Sequence, residues 1–332
     1  MLKDLEKILQ EIDKELFDKY ISLVNELEQK VYKNINESLA VEYGIYTNHD
    51  KKHFDRVVEQ AGYLLQAEKI LQIVYKEKDL NKLSCEEKER FFFLNSFELF
   101  ILLCSIRVHD IALLVNREDH SSNIIYTTNL LNIEIERSIK KIIAEISGAH
   151  TGITQNQTKD KINELDKLTT IRSKKIRPQV LAAIVRFSDE LEEGEHRTSS
   201  TNLLTEKIKK ENIVFHKYSL AITDLSVDHD GSRISITFEI DENEREEYIK
   251  PNGDKVTLLK EIYLRLQKLE QERKYFHRFL CNAMSIESIE SKIFFRDKYA
   301  NLSSPVIAKT GDTYPGLDEY GLNELKNRIE HG

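Results

Sequence analysis

FFFLNSFELFILLCSIRVHDIALL, residues 91–114, is the most hydrophobic run in the chain. With Glu98, Arg107, His109 and Asp110 inside it, the run would be heavily penalised as a membrane helix. It reads instead as the central buried helix of a bundle. Ionisable groups at the end of such a helix are costly unless something pairs with them. For the adjacent His109 and Asp110, two readings stand level. A metal ion would satisfy both at once, and a salt-bridged structural pair would do so as well.

The surrounding sequence agrees with a helical protein. Across 332 residues there are only 11 glycines and 4 prolines, and both residue types are expensive inside helices. Hydrophobic residues make up 40% and charged residues 32%, the balance of a well-solvated surface over a real core. The net charge of −8 does not make the chain as a whole an electrostatic trap for a phosphate backbone. Concentrated basic segments occur only at Lys207–Lys210 and Arg172–Arg177. Cys85, Cys104 and Cys281 show no paired spacing, so a CxxC zinc site is absent and a disulfide framework is not expected. Cys104 reads as a core residue. The start, MLKDLEKILQEIDKEL, is too charged for a signal peptide, and no uncharged run reaches the roughly 20 residues of a membrane span. A cytoplasmic location with no membrane partner is expected.

Apolar residues at three- and four-residue steps (Leu5, Ile8, Leu9, Ile12, Leu16, then Tyr20, Leu23, Val24, Leu27) predict an amphipathic helical segment over residues 1–40, broken once. A loop follows around Gly44. Further helices are predicted at 53–76, 119–131, 134–147, 178–193 and 256–278, and Gly152–Lys175 reads as a polar loop with one short helix. Between Ile213 and Ile240 the period changes. SLAITDLSVD and SRISITFEI alternate apolar and polar residues around His229-Asp230-Gly231, which predicts a β-hairpin within 206–245. Its histidines, His216 and His229, are expected at exposed edge and turn positions. Residues 246–300 read as a C-terminal helical segment and 301–332 as an irregular tail.

Five of the ten histidines lie between residues 49 and 150, several beside carboxylates, and these are the ligand types of borderline divalent metals. Four segments, NHDKKHFDRVVEQAGYLL, ELFILLCSIRVHDIALL, AEISGAHTG and LAAIVRFSDELEEGEHR, together resemble the HD superfamily of metal-dependent phosphohydrolases. The family's pattern is an H … HD … D series on separate helices. The resemblance covers roughly residues 40 to 200 and implies a mainly α, HD-type helical bundle over 41–205, with the hairpin and C-terminal helices added to it. The metal ligands it implies are His53, His109, Asp110 and Asp189, holding Mn, Fe, Ni, Zn or Mg. Asp110 takes the family's role as the ligand beside the nucleophile. Details of the ELF…HD run, the single AHTG and the DELEEGEHR ending are similar to the subgroup found in bacterial conflict and antiviral systems.

The HDIG run common in the family reads His109-Asp110-Ile111-Ala112, and the later paired histidines read Ala149-His150-Thr151. A first metal is therefore implied, and His120 and His150 are expected to touch phosphate or a weakly held second ion. Surface histidines are the alternative for each. His49 is placed in the loop before His53. Arg197 is a candidate for a forked contact to a phosphate oxygen, with a salt bridge to Glu190 or Glu193 as the alternative, and Glu190 is expected behind the ligands. Neither GxxxxGK, GxGxxG nor GxSxG occurs. The expected function is hydrolysis of a phosphoester, a nucleotide first among substrates. A single-strand nuclease is one rival. The other is a non-catalytic sensor or subunit, which the long N-terminal amphipathic helix would join to a protein partner or to a second copy.

Overall fold

Asn95 starts the central helix with a reciprocal cap: its side chain accepts from the Glu98 amide at 2.9 Å, and Glu98 accepts from the Asn95 amide at 3.2 Å. That satisfies two of the amide groups a helix start leaves open. In the computed structural model the residues described are 1–32, 51–77, 94–111, 135–154, 156–198, 208–280, 286–311 and 323–331. The predicted helix at 119–131, the loop around Gly44, and His49 and His120 lie outside them.

Ten α-helices run among the described residues: α1 (Asp4–Ile12), α2 (Lys14–Lys30), α3 (Lys51–Leu64), α4 (Ala67–Glu77), α5 (Ser96–Val108), α6 (Arg137–Gly148), α7 (Pro178–Glu190), α8 (Ile213–Ala221), α9 (Leu258–Leu280) and α10 (Asn323–His331). The protein is mainly α, with small sheets. The described residues fall into two compact units. One holds α1–α7 and the end of α9 from Tyr275, and the other holds α8, most of α9, α10 and the larger sheet.

In the first unit α5 lies at the centre, buried at every position from Phe97 to Val108, and it packs against α1, α2, α3, α6 and α7. The apolar faces of α1 and α2 (Leu5, Ile8, Leu9, Phe17, Tyr20, Leu23, Leu27) are buried within this same unit. Asp13 breaks the N-terminal segment and caps α2, its side chain accepting from the Leu16 amide at 3.2 Å. Cys104 is buried on α5. The stretch read as a polar loop, 152–175, contains a 3-10 helix (Lys161–Glu164) and leads into a small hairpin, β1 (Thr169–Ile171) and β2 (Lys174–Ile176). Arg172 and Ser173 at its tip both take positive φ (51° and 62°). Two successive left-handed residues match the twist of a two-residue hairpin, and without glycine there the sequence carries no signal for it.

The second unit corrects the sequence reading most. SLAITDLSVD is not all strand: α8 runs to Ala221, and strand β3 (Ile222–Asp228) begins only then. His216 accordingly lies on a helix, 1% exposed, not at a strand edge. β3 pairs antiparallel with β4 (Arg233–Asp241). After a short pair, β5 (Tyr248–Ile249) and β6 (Lys255–Val256), the chain returns through α9 to β7 (Ser288–Arg296), which lies parallel to β4, and β8 (Val306–Gly311) closes the sheet in the order β3-β4-β7-β8. Two segments expected to be helix and irregular tail therefore carry strands. A two-stranded hairpin alone is marginal in water, and β7 and β8 supply the missing neighbours. Ile234, Ile236, Phe238 and Ile240 share one buried face with Ile289, Ile293, Val306 and Ala308. No described helix is long and apolar enough to cross a membrane.

Candidate metal centre

Each candidate ligand sits at or near the end of a helix of the first unit. His53 is in the first turn of α3, and His109 and Asp110 follow directly from α5. Asp189 is in the last turn of α7, and His150 lies just beyond α6. Helix ends let short side chains from several rods reach one point without opening the apolar packing between them.

His53 Nε2 stands 3.4 Å from His109 Nε2, 3.4 Å from Asp189 Oδ1 and 3.7 Å from Asp110 Oδ2. His109 Nε2 is 3.5 Å from Asp110 Oδ2 and 3.4 Å from Asp189 Oδ1. Ligand atoms about 2.0–2.2 Å from a shared tetrahedral ion are separated by roughly 3.3–3.6 Å. The two imidazole nitrogens, taken with the carboxylate oxygen of Asp110 or with that of Asp189, stand at spacings that fit a divalent ion of the borderline class.

The imidazoles are turned toward this point by their far nitrogens. His53 Nδ1 faces Glu192 Oε2 at 2.8 Å, His109 Nδ1 faces the Ile106 carbonyl at 2.7 Å, and His150 Nδ1 faces the Ser147 carbonyl. An acceptor at each Nδ1 fixes the proton there and leaves Nε2 for the cluster. His150 Nε2 lies 3.4 Å from Asp110 Oδ1. Three imidazoles thus approach Asp110, His53 and His109 at Oδ2 and His150 at Oδ1, and the His109 and His150 rings are themselves 4.9 Å apart.

Burial is deep but uneven. The side chains of His53, His109, Asp110 and His150 are 2%, 0%, 9% and 4% exposed, whereas Asp189 is 28% exposed. Solvent therefore reaches the cluster along the Asp189 side. Burial alone would lower the His109 pKa, but the charges of Asp110 and Asp189 outweigh it and hold the imidazole up at about 9. Asp189 shows the converse: desolvation pushes its carboxyl up, and His109 and His53 pull it well below the usual carboxylate range.

His53, His109, Asp110 and Asp189 thus come together, and His150 joins them. Arg197 belongs to the second unit, in the 3-10 helix Glu195–Arg197, with Nη1 3.8 Å from Glu193 Oε1. His120 is outside the described residues. Arg186 donates from Nη1 to the Lys159 carbonyl at 3.0 Å and lies over the Tyr275 ring. Sequence reasoning missed Glu192, which is 1% exposed and meets His53 Nδ1 at 2.8 Å. The signal was available: Glu192 follows Asp189 by three residues, which keeps the two on one face where the helix ends.

Comparison with known proteins gives a matching family model, HD-CE, over residues 43–136 and 118–268. No curated protein matches the chain. The two matched segments span more than half of the sequence and include every candidate ligand. The chain belongs to the HD-CE family, a family of HD domains.

Proposed function

We propose that the chain hydrolyses a phosphoester, that of a nucleotide first, with a divalent ion held by His53, His109, Asp110 and Asp189. Family membership and the buried His/Asp group suggest a metal-dependent hydrolase. The observation that carries the finer reading is the convergence of four donor atoms whose imidazoles are each locked at Nδ1. When bound, such an ion supplies Lewis acidity, acidifying water and neutralising charge on a phosphoryl group.

The protein's own groups do the rest. Glu192 and the Ile106 carbonyl hold His53 and His109 in the tautomer that offers Nε2. His150, fixed by Ser147, presents Nε2 beside Asp110 Oδ1, where it can hold a proton and share it with a phosphate oxygen. The partly open Asp189 side gives substrate its approach. His120 is proposed as a further phosphate contact. The −8 charge favours a small nucleotide over a polynucleotide. The resemblance to HD domains of conflict systems supports a defensive role in the cytoplasm.

The test is incubation with Mn²⁺ against mono-, di-, tri- and cyclic nucleotides in parallel with single-stranded DNA and RNA. Release of phosphate or opening of a cyclic nucleotide is expected. Fragments from polynucleotide with every small nucleotide intact would replace this reading with a nuclease. His150→Ala is expected to lower turnover at least about tenfold, roughly 1.4 kcal/mol, while metal content stays at the wild-type level. Turnover at the wild-type rate would remove His150 from the reaction.

A further inference from the structure

Helix α5 poses a packing problem. It is buried on all sides, and from Phe97 to Ile106 it is apolar except for Glu98 and Ser105. Apolar contact is non-directional, so a helix greasy all round has no face that by itself sets its rotation. Yet His109 and Asp110 extend directly from it, and their aim depends on that rotation. Turning a helix by only about 20° moves a side-chain atom roughly 5.5 Å from its axis by about 2 Å. That is some ten times the roughly 0.2 Å latitude of a metal–ligand distance.

Three polar residues of α5, Glu98, Ser105 and Arg107, each bond to a different helix carrying, or leading to, another candidate ligand, while Ser96 at its start donates to Asp13 at the cap of α2. Glu98 accepts from the Arg177 amide (3.1 Å), Nε (2.8 Å) and Nη2 (2.7 Å), at the start of the Asp189 helix α7. The Ser105 carbonyl accepts from Ser147 Oγ at 3.1 Å, on the helix α6 that leads to His150. Arg107 reaches the His53 helix α3, its Nη1 donating to Asp55 Oδ1 at 2.6 Å. Its Nη2 donates to Glu6 Oε1 at 2.8 Å and its Nε to Tyr20 Oη at 2.8 Å, while Tyr20 donates to Glu6. The Arg107 carbonyl accepts from Tyr32 Oη at 3.0 Å.

Arg107 stands two residues from His109, and Asp55 two residues from His53. Arg107, Glu6 and Tyr20 are 2%, 4% and 0% exposed. Charges so buried add little stability over well-packed apolar residues of the same volume, and their best-attested use is to fix register. Glu6 and Tyr20 precede residue 43, where the family match begins.

We propose that Arg107, held by Glu6, Tyr20 and Asp55, is a positioning residue that sets the rotation of the helix leading into His109 and Asp110, which makes α1 and α2 part of the metal centre. The proposal rests on the metal reading given above. It acts through geometry alone: the N-terminal helices supply no ligand, only the hydrogen bonds that aim two of them.

The test is Co²⁺ titration of the metal-stripped full chain, read by the visible d–d bands and by competition with a chelator. Glu6→Gln/Tyr20→Phe keeps both shapes but removes the charge and the hydroxyl that face Arg107. Loss of outer hydrogen-bond partners costs metal affinity about 10–100-fold, so at least a tenfold weaker affinity and shifted bands are expected. Leu23→Ala, a core truncation on the helix of Tyr20, should lower the thermal midpoint yet leave affinity and bands unchanged. Wild-type affinity and bands in the double variant would overturn the proposal, as would an equal change in Leu23→Ala. If the double variant does not fold, Tyr20→Phe alone gives the same reading, with a smaller shift in the same direction. A wild-type protein that takes up no Co²⁺ would sink the metal reading itself, and the proposal with it.

Discussion

Alanine at Asp110 is expected to empty the metal site and to lower turnover at least about a thousandfold, roughly 4 kcal/mol of transition-state stabilisation. The far-ultraviolet helical signal should survive. Asp110 uses both of its oxygens: Oδ2 stands 3.5 Å from His109 Nε2 and 3.7 Å from His53 Nε2, and Oδ1 stands 3.4 Å from His150 Nε2. Truncation removes a ligand and the carboxylate that faces the histidines from both sides. The fold loses little, because Asp110 follows the last turn of α5 and the helix itself is held by apolar burial. Elemental analysis and Mn²⁺-dependent turnover check the two halves of this expectation. Equal metal content in the variant and the wild type would show that Asp110 is not a ligand.

Metal uptake should depend steeply on pH. In the metal-free site His109 keeps its proton up to about pH 9, because Asp110 and Asp189 outweigh the burial that would strip it. Coordination needs neutral imidazole, so binding must expel that proton. Each pH unit below about 9 then costs about tenfold in apparent affinity, or about a hundredfold between pH 8 and pH 6. The stability of the metal-free fold runs the other way. The raised His109 pKa contributes stability that is full below the ordinary 6.5 and is lost as pH rises through about 9. The lowered Asp189 pKa contributes stability that is present above the ordinary 3.8 and lost as pH falls through its folded value. Calorimetry at pH 7 in buffers of different ionisation enthalpy should find about one proton released per ion. An affinity flat from pH 6 to 8, with no proton released, would show that His109 is already neutral.

What the chain alone determined is local. The burial of residues 97–108 was legible because their apolar character leaves no solvent-facing side. The interest of His109 and Asp110 was legible because ionisable groups at the end of such a helix demand partners. The helices over 4–30, 51–77, 137–148 and 178–190 followed from three- and four-residue spacing, and His53 and Asp189 followed from the resemblance to HD domains.

Tertiary structure decided what depends on distant partners. Glu192 meets His53 across 139 residues of sequence, and only packing turns each imidazole's Nε2 toward its neighbours. β7 and β8 were read as helix and tail because their edges are completed by strands reached through a long crossover, a pairing no local pattern announces. His216 lies on α8 and is buried. The N-terminal helices show the division most clearly. Their periodicity says that a face must be buried, but that the face would close over Arg107, bringing Glu6 and Tyr20 to its guanidinium, is fixed only when the helices pack. Burial is a property of a segment, whereas a hydrogen-bond partner is a property of the assembled fold.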